Sequence, residues 1–169
     1  CEEFFDPIVK YVAYVDSIKS RAACVKKYKY TKPLLEPGEV SFIEVNDLKH
    51  AIVDQLDNAT NYIPNNVHLN DNDRGILLYG VNGAGKSCYS KAVGLAIVLA
   101  QSGHFVPAGS MNICPFKRLY TRISDVDNIY KGQSSFFVEM SELKSIIHYA
   151  DAQSIVLGDE VCKGTEDIS

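Results

Sequence analysis

Residues 75–87 read GILLYGVNGAGKS. The first six form a compact apolar run closed by glycines, which predicts a strand buried on both faces. From Gly80 onward the spacing is that of a loop wrapped around a phosphate. A phosphate needs several N–H donors converging on it with no side chains in the way. Gly80, Gly83 and Gly85 permit that wrap, and a helix opening at Lys86 adds its first-turn amides and positive dipole end. Lys86 supplies a mobile charge for β- and γ-phosphates, and the Ser87 hydroxyl is a ligand for Mg²⁺. Val81, Asn82 and Ala84 complete the candidate ATP contacts. The plainer reading is a glycine-rich turn that happens to contain Lys-Ser. Its place between a predicted strand and a predicted helix favours the phosphate loop.

Such a loop needs an acidic partner. Residues 154–158 form a second apolar run, predicted as a buried strand, and Asp159-Glu160 follow it directly. At a strand's C-terminal end Asp159 can hold Mg²⁺ through water, and Glu160 can activate the attacking water. The catalytic candidates are therefore Lys86 and Glu160, and the metal candidates Ser87 and Asp159. Taken alone, an apolar run ending in Asp-Glu is equally a strand entering a solvated turn. The phosphate loop about 70 residues upstream tips the reading.

Around these two motifs the periodicity is that of an α/β chain. Ile8, Val12, Val15, Ala22 and Val25 predict an amphipathic helix over residues 7–28, with Pro7 in its first turn. Residues 40–45 predict a short strand, with Ser41, Ile43 and Val45 on one face. The Asn- and Asp-rich stretch 54–73 reads as loops around a strand near 67–69. A helix buried on several sides is expected over 86–101, stopped by Gly103. Residues 119–123 suit a strand. Phe136, Met140, Leu143, Ile147 and Ala150 predict a helix over 135–149 with an inward apolar stripe, capped by Ser134 or Ser135.

Composition narrows the classes. The chain has 169 residues and a net charge of -4, so it carries no overall basic signal for nucleic acid. The five cysteines are scattered without a CxxC pair, which argues against a zinc site or a disulfide framework and for a reducing, intracellular setting. The longest apolar run, residues 92–100, is too short to span a bilayer, so no membrane is expected as a partner. The four histidines lack metal-ligand spacing and read as structural or surface residues. Residues 26–30 (KKYKY) are basic with interleaved aromatics. They read first as a solvated helix end and second as a DNA-phosphate contact. Both ends look cut: the chain opens on Cys1 rather than Met and stops just past the acidic strand.

The residues between the two motifs carry a family resemblance. They run Phe105-Val106-Pro107-Ala108, then Arg122-Ile123, then residues 132–140 (GQSSFFVEM), then Gly164-Thr165 beyond the acidic pair. With Asn82 in the loop and YTKPL at 30–34, this pattern resembles the MutS family of DNA mismatch-recognition ATPases over essentially the whole chain. The resemblance implies an ABC-type P-loop ATPase domain over 31–169, ending after the acidic strand, preceded over 1–30 by the end of a helical lever. It implies a homo- or heterodimer with ATP and Mg²⁺ shared across the subunit interface. Gly132, Gln133, Ser134 and Ser135 would face the nucleotide of the opposite subunit, and Tyr62 would lie where the family stacks an aromatic on adenine. Mismatched double-stranded DNA would be gripped by domains outside this segment, so the segment should bind ATP more readily than turn it over.

The chain also departs from the family. Gly83-Ala84-Gly85 replaces Met-Gly-Gly, Ala51 stands for Pro, and Gly109 stands where a glutamine is common. Lys163 and Glu166 depart from Arg and Ser. This variant pattern resembles a divergent branch, that of octocoral mitochondria and giant viruses. Two competing readings are an SMC- or recombination-type ABC ATPase and a nucleotide-dependent interaction module with little turnover.

Overall fold

A computed structural model of the chain describes residues 2–56, 62–122 and 135–159. The architecture is mixed α/β. Helix α1 (Glu2–Tyr28) is followed by strands β1 (Leu34–Leu35), β2 (Phe42–Leu48) and β3 (Asn65–Leu69), helix α2 (Lys86–Gln101), strands β4 (Ser110–Cys114) and β5 (Arg118–Arg122), helix α3 (Ser135–Tyr149) and strand β6 (Ser154–Gly158). One sheet has the order β1-β4-β2-β3, in which β2 runs antiparallel to both neighbours and β1 runs parallel to β4. The second sheet is the parallel pair β5-β6.

β2 shows why this segment is a strand. Ile43 and Val45 are fully buried while Glu44 between them is exposed, the period-2 alternation of a one-sided sheet. The strand runs three residues past the expected 45. A register shift between Val45 and Leu48 lets Leu48 return to the core. Within that bulge Asp47 adopts φ 53° and donates its N–H to Asn66 Oδ1 at 3.0 Å. β4 went unread in the sequence, although Met111 and Ile113 alternate across Asn112 and both are buried.

α2 joins the two sheets. It opens at Lys86 and closes at Gln101, with Gly103 at φ 75° turning the chain away. Its inner stripe is built from small residues, Ala92, Ala96 and Ala100 beside Val93 and Ile97, all buried in one cluster with Ile43, Ile113 and Ile155. Gly94 brings the helix close to β6: a Cβ there would lie 2.9 Å from Leu157 Cδ1. At the far end the Gln101 side chain donates to the Phe116 carbonyl and accepts the Phe116 amide, each at 2.9 Å. It thereby fixes the passage from β4 to β5.

Four expectations need correction. α1 begins at Glu2, so Pro7 lies inside the helix rather than in its first turn. There its missing N–H removes one i→i−4 bond, and its ring crowds the carbonyl four residues back. Residues 75–80 form no strand among the described elements, and Leu77 and Tyr79 are 88% and 90% exposed. The run is apolar, but no neighbouring strand pairs with it, and a strand without a ladder partner leaves its backbone to water. β6 is a strand but, among the described residues, pairs with β5 alone; Ile155 is buried and Val156 is exposed. α3 has the expected bounds, and Met140 and Leu143 lie on its inner face as expected, but Ile147 is 80% exposed and Ile146 takes its place beside the buried Glu139.

His50 is buried, and its Nδ1 accepts the amides of Ile52 and Val53, each at 3.2 Å. Burial first, and the charge of Lys91 second, push its pKa below the usual 6.5. The unfolded chain therefore binds a proton at a pH where the folded chain refuses it. His50 contributes stability that is complete above about pH 6.5 and is lost as pH falls through the lower folded value. Thermal melts from about pH 7.5 down to 5 should show a falling midpoint, and His50→Gln should flatten that slope.

Candidate nucleotide site

The loop that opens α2 has the backbone of a cradle. Gly83 and Gly85 sit at φ 82° and 93°, a region that costs a side-chain-bearing residue about 1–2 kcal/mol. A Cβ at either position would meet nothing within 4 Å, so the concave side is open. Gly85 is the residue before α2, and among the described residues no side chain caps the helix; its first turn holds no acidic residue. The uncapped amides and dipole favour an anion. Asn82, Gly83, Gly85, Lys86, Ser87 and Cys88 line a hollow of about 370 Å³. Lys86 Nζ donates to the carbonyls of Gly80 at 2.8 Å and Val81 at 3.1 Å, folding the loop back on itself.

A larger cavity of about 820 Å³ lies between residues 74–78, β6 and the first turns of α2. Lys86 and Asp159 both line it, so the fold brings the basic end of the loop and the acidic strand end to one space. Asp159 is aimed by backbone: its N–H donates to the Arg122 carbonyl at 2.8 Å, one step past the β5-β6 ladder. Tyr62 is half-buried near the start of α2, with the Cys88 thiol and Asn65 as hydrogen-bonding neighbours. Burial first and Cys88 second raise its hydroxyl pKa, so it stays neutral at physiological pH. Tyr62 and Ser87 thus share one end of the helix. Ser135 opens α3. Gly132, Gln133, Ser134 and Glu160 lie outside the described residues. No cluster of three metal-ligating side chains occurs among the described residues.

The residues present fit a nucleoside triphosphate with its divalent ion. The fit lies in an uncapped helix start, two left-handed glycines opening onto free space, and a lysine, a hydroxyl and a carboxylate lining two hollows that share Lys86. Residues 76–169 match the family model described as MutS domain V. The chain belongs to the MutS family. Among its relatives, a mutS homolog of Acanthamoeba polyphaga mimivirus is 39% identical over 96% of this chain. The mitochondrial DNA mismatch repair protein mutS homolog of Sarcophyton glaucum is also 39% identical, over 97%. The DNA mismatch repair protein MutS of Chlorobium chlorochromatii is 37% identical over 91%. The chain spans 18%, 17% and 18% of these three relatives' own lengths. A viral and a mitochondrial relative are the kinds that the departures from the common MutS pattern resemble.

One of those departures has a structural explanation. At Gly109, where MutS proteins often carry glutamine, a Cβ would lie 3.0 Å from Asp47 Oδ2 and 3.3 Å from Asp47 Cβ. Asp47 cannot easily move, because its left-handed backbone is tied to Asn66, and Gly109 N–H itself bonds the Asn46 carbonyl at 2.9 Å. Gly109→Gln should therefore destabilise the fold by about 1–3 kcal/mol, as overpacking does. Asp47→Gly in the same chain removes the obstructing atoms and should recover most of the loss in a denaturant titration.

Proposed function

We propose that this chain is the nucleotide-handling part of a MutS-type DNA mismatch repair protein, an ABC-type P-loop ATPase domain over 31–169 with the end of a helical lever over 1–30. The observation that carries the proposal is the convergence of Lys86 and Asp159 on one cavity beside the uncapped start of α2. In this reading the backbone of residues 80–85 surrounds the β-phosphate, and Lys86 exchanges its two loop carbonyls for phosphate oxygens. Ser87 and Asp159 would hold the divalent ion, Glu160 would orient the attacking water, and Tyr62 would stack on the base. Magnesium held there would supply charge that neutralises the phosphates.

The dipole of α3 and residues 132–135 complete the site of a second subunit, so that ATP closes a homo- or heterodimer. The grip on mismatched DNA lies in the remainder of the protein, in an intracellular compartment. The decisive experiment is ATP binding and turnover by the complete protein, wild type against Lys86→Ala. Equal turnover by the two would refute the site. Nucleotide-controlled dimerisation without turnover would favour an interaction module instead.

A further inference from the structure

One residue touches both the acidic strand end and the helix behind it. Arg122 ends β5 and stands in register with Gly158 of β6. Its carbonyl accepts the Asp159 amide at 2.8 Å, so its backbone sets where the acidic residue leaves the sheet. Its side chain turns to α3, where Nε lies 3.2 Å from Glu142 Oε2. Nε is buried and makes no aligned hydrogen bond among the described residues, so charge rather than hydrogen-bond geometry holds the pair. The arginine side chain is 24% exposed and the glutamate 51%, a setting in which an ion pair is weakened by solvent but not abolished. α3 has few apolar anchors: Phe137, Ile147 and Tyr149 are all exposed. A helix so lightly packed takes its angle from whatever polar ties it has. Glu142 stands seven residues beyond Ser135, about 10 Å along the axis.

We propose that Arg122 is a positioning residue that, through Glu142, fixes the angle of α3 to the strand end carrying Asp159. The first turn of α3 and the acidic residue then move as one unit. The functional consequence rests on the nucleotide-site reading above. Asp159 serves the ATP of its own chain and the start of α3 serves the partner's, so Arg122 would couple the two halves of a shared site.

The test uses the complete protein as wild type, Arg122→Gln, Arg122→Lys, Glu142→Gln and the Arg122→Gln/Glu142→Gln pair. Hydrogen exchange is followed by mass spectrometry without nucleotide. Amides of α3 should exchange about threefold faster in either glutamine variant and no faster in the pair, while Arg122→Lys stays near wild type. The β5-β6 amides should be unchanged. In turnover assays the same variants should lower kcat with KM held within about twofold, in the same order. Unchanged α3 exchange in Glu142→Gln, or additive effects of the two glutamine changes, overturns the proposal. A wild-type protein that binds no ATP overturns the nucleotide-site reading instead, and the exchange result still decides the tether.

Discussion

The Lys86→Ala protein is expected to bind ATP about 10- to 100-fold more weakly than wild type, because it loses charge-assisted hydrogen bonds worth about 1.5–3 kcal/mol. Turnover should fall further, on the order of 10²–10³, since a cation aimed at developing charge contributes more in the transition state than in the ground state. The structure adds a second expectation. Lys86 Nζ holds the Gly80 and Val81 carbonyls, so the lysine also shapes the loop that receives the phosphates. Lys86→Arg keeps the charge but carries it on a planar fork suited to paired acceptors in one plane, and should recover only part of the binding. Stability should change by less than about 1 kcal/mol, because these two bonds lie at an exposed loop. Isothermal titration and a thermal melt on the same sample separate the two effects. A loss of ATP binding that tracks a large loss of melting temperature would place Lys86 in the fold rather than in the site.

How far the sequence foretells this site depends on whether each feature is local. The bounds of α2 were readable because Gly85 and Gly103 bracket it, one opening the helix and the other turning the chain out of it. The alternation of Ser41, Ile43 and Val45 gave the buried face of β2, though not its bounds, for the same reason: burial on one face is written residue by residue. What failed is what depends on a distant partner. Residues 75–80 are apolar enough for a buried strand, but composition cannot supply the neighbour that makes a ladder. β4 was hidden behind the Pro107 turn, and its pairing with β2 spans more than sixty residues of chain. The close approach of Gly109 to Asp47 joins the same two distant segments, so the lack of room for a side chain at 109 could not be read from the sequence. The tie from Arg122 to Glu142 likewise has no local signature. Charge and spacing marked Lys86 and Asp159 as candidates, and the fold brings both to one cavity.

The carboxylate offers the sharper discrimination. Asp159→Asn preserves size and leaves the backbone N–H bond to Arg122 intact, so the strand end should keep its place. It removes one negative charge beside a cavity that Lys86 also lines. If Asp159 holds the divalent ion, turnover in magnesium should fall on the order of 10²–10³, the range for losing a main electrostatic contact in the transition state. Nucleotide binding measured in a chelator should then stay within about twofold of wild type, or tighten slightly, because a carboxylate near phosphates repels them when no cation intervenes. Lys86→Ala should lose binding under both conditions. The two variants therefore separate along the metal axis: the lysine acts on phosphate directly and the aspartate acts through the ion. Equal weakening of chelator-phase binding by Asp159→Asn and Lys86→Ala would mean that the aspartate shapes the loop rather than the metal site. Unaltered magnesium-dependent turnover would move the metal ligand to another residue of the chain.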